Sequence, residues 1–114
     1  MAATMQHPGA VVAALEEIDR NLALQQNDYE AAASDRAKLV RRWEKRLAIC
    51  LLKAKGGDAA ARKASALIAA IEMDGLYEEL MDAEGRFEGA RASIKVSETR
   101  AMIGLGILRS QGRS

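Results

Sequence analysis

Residues 53–63 read KAKGGDAAARK, and the reading of this stretch decides the fold. Lys53 and Lys55 suit the last turn of a helix, where cations face the negative end of the helix dipole. Gly56 stands where a helix C-terminus favours a left-handed residue. Asp58 is a good N-cap for the alanine-rich run that follows. The stretch therefore predicts a turn at Gly56-Gly57 between two helices. A phosphate-cradling loop would need a preceding strand and a terminal Gly-Lys-Ser/Thr, and neither is present.

Upstream of the turn, Ala10 to Lys55 contains no glycine or proline. Leu15, Ile18, Leu22, Tyr29, Ala32, Leu39, Trp43, Leu47, Cys50 and Ala54 recur at steps of three, four and seven, a helical period. Pro8-Gly9 marks the start, since proline is tolerated in a helix only near its first turn. One helix of about 45 residues would be about 70 Å long, and its stripe must be covered to be stable. Downstream, Leu76, Leu80, Ala83, Phe87, Ala90, Ile94, Ala101, Leu105 and Leu108 supply the partner stripe. With steps averaging near 3.5, the two arms can wind as an antiparallel coiled coil.

The expected fold is all-α: a long antiparallel helical hairpin over residues 10–110, between a flexible start (1–9) and a flexible tail (111–114). The 114 residues suffice for one modest core. Much of the hydrophobic fraction of 49% is alanine, with one Phe, one Trp and two Tyr, so that core is thin. Asp74-Gly75 interrupts the second arm. Asp can cap a new helix and an interior Gly costs about 1 kcal/mol, so the arm is either kinked there or split, with Asp58 to Met73 as a short separate helix. Gly85 and Gly89 allow close backbone approach, as a packing contact or a self-association face. Leu24, Val40, Ile49, Leu51 and Leu52 lie off the main seam, and two hairpins joined as a four-helix bundle would cover them. A homo-oligomer, with a dimer favoured, is the expectation.

The net charge of +1 hides segregation along the chain. Met1 to Asp35 carries −5, Arg36 to Lys63 carries +8, Ala64 to Glu98 carries −5, and Arg100, Arg109 and Arg113 close the chain. Folding about Gly56-Gly57 sets Arg36 to Arg42 opposite Met73 to Tyr77, near Glu72, Asp74, Glu78 and Glu79. Such pairs, at about 0–1 kcal/mol each when exposed, fix orientation and register. Arg42 lies at the border of this paired zone. Lys45, Arg46, Lys53, Lys55, Arg62 and Lys63 have only Glu44 and Asp58 nearby. These seven cations form the candidate binding set, a positive knob at the closed end of the hairpin.

A positive knob suits the phosphates of a nucleic acid or an acidic protein surface. Sequence-specific DNA reading is disfavoured, since neither a helix-turn-helix spacing nor a zinc-finger ligand set is present. Trp43 sits on the core stripe, which leaves few aromatics for base stacking. Enzymatic function is not expected, and no cofactor or metal is. His7 is the only histidine, so Ser-His, Cys-His and His-ligated metal arrangements cannot be assembled in one chain. Cys50 reads as a buried structural thiol, and a single cysteine without a secretory leader points to a reducing cytoplasm. The apolar run Ala101 to Leu108 falls far short of the ~20 residues that span a bilayer, so no membrane association is expected. Glu16-x-x-Asp19 and Glu79-x-x-Asp82 resemble the carboxylate pairs of helical, magnesium-dependent nucleotide pyrophosphohydrolases. A hairpin holds the two pairs about 25 Å apart, which leaves that activity a distant third.

LLKAKGG at 51–57, DAAARKASAL at 58–67 and YEELMDAEGRFEGARASIKVSETR at 77–100 together resemble, in spacing and composition, the small alanine-rich coiled-coil proteins of tailed phages and prophages. The resemblance implies a cytoplasmic accessory protein acting in replication or recombination, or against a host protein, and carries no catalytic residues over. Two functions are therefore expected: a nonenzymatic protein that associates with nucleic acid or its processing machinery through the basic tip, or a protein-interaction module or inhibitor that binds a host or phage protein.

Overall fold

The computed structural model describes residues 7–112. Three helices follow one another: α1 (Pro8–Lys53), α2 (Ala59–Glu72) and α3 (Leu76–Gly112), with no strand among the described residues. The chain is an all-α helical hairpin whose second arm is split at Asp74-Gly75. The boundaries drawn at residues 9 and 111 fall within α1 and α3; residues 1–6 and 113–114 of the two terminal segments lie outside the described residues.

Pro8 opens α1, where its missing N–H is no loss. His7 caps it: the Gly9 N–H donates to His7 Nδ1 at 3.1 Å, and the His7 carbonyl accepts from Ala10. At the other end the Ala54 N–H reaches back to the Leu51 carbonyl, tightening the last turn. Gly56 does not adopt the left-handed conformation expected of it; the left-handed residues are Asp74 (φ 35°) and Gly75 (φ 74°). α1 unwinds over Ala54–Asp58 and needs no single reversing residue there. The chain reverses over these residues, and α2 and α3 both run antiparallel to α1, with a break between them at Met73–Gly75. Asp58 caps α2 as expected, its Oδ1 accepting from the Ala61 N–H at 2.7 Å.

The helices divide into two compact units: Ala31–Glu88, and the segments up to Glu30 and from Gly89 onward. In the first, Ala66 and Ala70 of α2 bury against Cys50, with Trp43, Leu47 and Ala54 packed around them. Leu76, Leu80 and Ala83 continue the buried row along α3. Leu76, 2% exposed, is the most deeply enclosed large side chain among the described residues. In the second unit the buried residues are Val11 and Ser97. The Ser97 hydroxyl donates to Gln25 Oε1 at 2.8 Å, and Gly104 lets Leu15 approach so closely that an added Cβ would lie 2.6 Å from its Cδ2. Gly85 and Gly89 have open space where a Cβ would be, so neither serves close packing within the chain.

The charge ladder in the Ala31–Glu88 unit runs antiparallel: Arg46 with Asp74, Arg42 with Glu79, Arg36 with Glu84. Ten residues back along α1 match ten forward along the second arm. The register differs from that expected, with Arg36 meeting Glu84 instead of lying opposite Tyr77. The turn is longer than a glycine pair, because Ala54–Asp58 all leave the helix before α2 begins at Ala59, and the pairing shifts accordingly. The offset of seven residues is close to two helical turns, so the same face of α3 is presented and acids still meet bases.

Candidate functional site

The candidate cations lie at the closed end of the hairpin, in the unit Ala31–Glu88, and they fall into two groups. Arg46 and Arg42 are engaged. The Arg46 guanidinium grips Asp74 with both terminal nitrogens, at 2.9 and 3.0 Å, and its side chain is only 19% exposed. The expectation that Arg46 lacks an acidic counterpart is thus not met, because the split of the second arm brings Asp74 beside it. The hydrogen bonds from Arg46 hold the Asp74 carboxyl below its ordinary value, against a smaller opposing effect of desolvation. The same bonds raise Arg46. Arg42 makes a looser, exposed pair with Glu79 at 3.7 Å. Further along, Arg36 donates to Glu84 at 2.7 Å and stacks over the Phe87 ring at 5.2 Å from its centroid.

Lys45, Lys53, Lys55, Arg62 and Lys63 are exposed and pair with no carboxylate among the described residues. Arg62 reaches only the Gly56 carbonyl, at 3.5 Å. Their spacing follows from helix geometry. Lys45, Ile49, Leu52 and Lys53 follow one another at steps of four, three and one on the flank of α1 turned away from the seam of Trp43, Leu47, Cys50 and Ala54. Apolar side chains lie among the cations: Ile49, Leu51, Leu67 and Ile68 are about half exposed and Leu52 is 88% exposed. The tip is therefore an amphipathic surface.

Beside it, the end of α1 and the face of α2 enclose a groove of about 540 Å³. Ile49, Cys50, Ala54, Ala66, Ala69 and Met73 form its apolar lining. Arg46, Lys53 and Lys55 stand around it, and no carboxylate lines it. The Cys50 thiol is buried at its base, with Sγ 4.0 Å from Met73 Sδ.

Trp43 packs against Tyr77, ring centroids 5.4 Å apart, which places it in the helix interface as its stripe position predicted. Glu79 of the candidate carboxylate pairs faces Arg42. Among the described residues no group of three or more His, Cys, Asp or Glu side chains could hold a metal ion, and no helix is long and apolar enough to cross a membrane.

Sequence reasoning found the cation cluster and the off-seam residues Ile49, Leu51 and Leu52, and missed the groove. The signal was in SALIAAI at 65–71, where the small residues Ala66 and Ala69, three apart on one side of α2, leave space beside α1. No protein-family model, curated protein or solved structure matches the chain.

Proposed function

We propose that the chain is a nonenzymatic interaction module that docks the closed end of its hairpin on an acidic, partly apolar surface of a partner protein. The supporting observation is the make-up of the tip. Lys45, Lys53, Lys55, Arg62 and Lys63 make no ion pairs, and they are interleaved with Ile49, Leu51, Leu52 and Ile68. Contacts to phosphates draw on cations and gain little from bulky apolar side chains. A protein interface combines an apolar centre with a polar, charged rim. The resemblance to phage coiled-coil proteins accords with an accessory role against a host or phage protein. The off-seam apolar residues further support pairing of two hairpins as a dimeric four-helix bundle.

A second reading, association with nucleic acid or its processing machinery through the same cations, is supported by their freedom from carboxylates, and its signature is steep salt dependence. One experiment separates the two. Tagged wild type and the Lys45→Glu/Arg62→Glu/Lys63→Glu variant are incubated with cell lysate, with and without nuclease. The proposal expects a protein that survives nuclease on the wild type and is absent from the variant, whose far-UV helicity is unchanged. Recovery that nuclease abolishes transfers the tip to the second reading. A wild type that retains neither protein nor nucleic acid at low salt removes both.

A further inference from the structure

We infer that the groove between α1 and α2 receives an acidic amphipathic helix of the partner. The inference rests on the docking function proposed above and specifies its occupant. Ile49 and Met73, on opposite walls, remain 42% and 44% exposed, so the groove is an open channel and not a closed cavity. A small molecule there would keep one side in water, whereas sites for small molecules bury most of the ligand. An open channel between two helices suits the apolar row of a third, the helix-in-groove mode with anchors at i, i+3 or i+4, and i+7. The alanines at Ala54, Ala66 and Ala69 make the channel, because they hold nothing beyond Cβ into it.

Charge selects the occupant. Every charged residue that lines the groove is a cation. Asp74 already holds Arg46, which leaves Lys53 and Lys55 as the free charges at the rim. A helix with Asp or Glu flanking its apolar row is favoured there, and one with Lys or Arg is repelled. Cys50, the chain's sole cysteine, lies beneath the apolar row and reports its arrival.

The probe is a pair of synthetic amphipathic peptides of about 15 residues with the same leucine row, one flanked by Glu and its twin by Lys. Binding is followed by fluorescence anisotropy, and alkylation of Cys50 by N-ethylmaleimide is timed in parallel. The Glu peptide is expected to bind at least about tenfold tighter than its twin and to slow alkylation. Ala69→Phe fills the groove from an exposed position, leaving the buried contacts of Ala66 and Ala70 in place, and should abolish both effects. Lys53→Glu/Lys55→Glu, on exposed residues, should reverse the peptide preference and keeps the test valid if Ala69→Phe disturbs α2. Equal binding of the twins, or binding that neither protects Cys50 nor responds to Ala69→Phe, overturns the inference. So does conversion of a wild-type dimer to a monomer by Ala69→Phe, since the occupant would then be a second copy. The Lys45→Glu/Arg62→Glu/Lys63→Glu variant changes no residue of the groove lining. A lysate partner that depends on those three cations while the peptides fail would leave the docking function standing without this occupant.

Discussion

Glycine-to-alanine substitutions along α3 should divide by sign, and Gly104 tests the packing of its unit. Alanine gains about 1 kcal/mol over glycine in a helix interior because the unfolded chain has less freedom to lose. At Gly85 and Gly89, where a Cβ meets nothing within 4 Å, that gain is unopposed, and each change should stabilise by about 0.5–1 kcal/mol. At Gly104 the new methyl would lie 2.6 Å from Leu15 Cδ2 and 3.2 Å from its Cγ. Overpacking of this kind costs about 1–3 kcal/mol, which outweighs the propensity gain and leaves a net loss of about 0–2 kcal/mol. Thermal unfolding followed by helicity at one fixed protein concentration reads both signs, at about 4 °C or more per kcal/mol for a chain of this size. A Leu15→Ala/Gly104→Ala cycle makes the assignment specific. The clash disappears with the leucine, so the double variant should be more stable than additivity predicts by about 1 kcal/mol or more. If Gly104→Ala stabilises as much as Gly85→Ala, or if the cycle is additive, the close approach of Leu15 to Gly104 is wrong.

Asp74→Asn keeps a side chain that tolerates the left-handed backbone and removes the charge that Arg46 grips. The Asp74 carboxyl is held below its ordinary value of 3.8, so its contribution is complete above that value and is lost as pH falls through the lower, folded-state value. The gap in melting temperature between wild type and Asp74→Asn should therefore be constant near neutrality and shrink in acid; a gap no smaller at pH 2 than at neutrality would refute the pairing. Asp58→Ala removes the cap of α2, at a cost of about 1 kcal/mol, and α2 covers Cys50. Alkylation of Cys50 should then speed up by about fivefold, and an unchanged rate would mean that α2 does not open alone. Ser97→Ala leaves Gln25 Oε1 without the buried hydroxyl it accepts from and should cost about 1 kcal/mol in denaturant titration. Leu52→Asp, at a side chain 88% exposed, should change stability by no more than about 0.5 kcal/mol yet weaken partner recovery at the tip; recovery equal to wild type would exclude Leu52 from the interface.

The arms of the hairpin were legible because a periodic apolar stripe on either side of a glycine pair has few other uses. Asp58 was legible as a cap because one short carboxylate before an alanine run has one local role. The register was not. It depends on how many residues leave the helix at the turn, and nothing in KAKGGDAAARK states that α1 ends at Lys53 and α2 waits until Ala59. The general preference of helix ends for glycine points to a left-handed residue at Gly56, whereas the left-handed pair is Asp74 and Gly75, at the next joint. A glycine permits such a conformation without requiring it, and the break falls where α2, packed against Cys50, gives way to α3 with Leu76 in the core. Of the candidate site, the cations were visible as a charge run. The engagement of Arg46 and the groove beside it both follow from the way α2 packs on the end of α1, which local pattern does not encode.

The interior of the chain shows where its free energy of association can come from. Ala66, Ala70 and Ala83 make up much of the buried row, with Leu76 and Leu80 as its largest members. Bulkier residues, Leu52 and Ile68 at the tip and Met102 and Ile103 in α3, are left to solvent. Fully burying such a side chain is worth about 1.5–3 kcal/mol, more than an alanine contact returns. A fold arranged this way gains little from its own core and leaves much of its apolar surface exposed, so under the proposed docking function binding and stability are linked. A partner that covers the tip stabilises the folded chain in proportion to the logarithm of its concentration over its dissociation constant. The cations around the groove reduce the set of helices that can do so, because a helix of equal apolarity and the wrong charge brings repulsion along with its contacts.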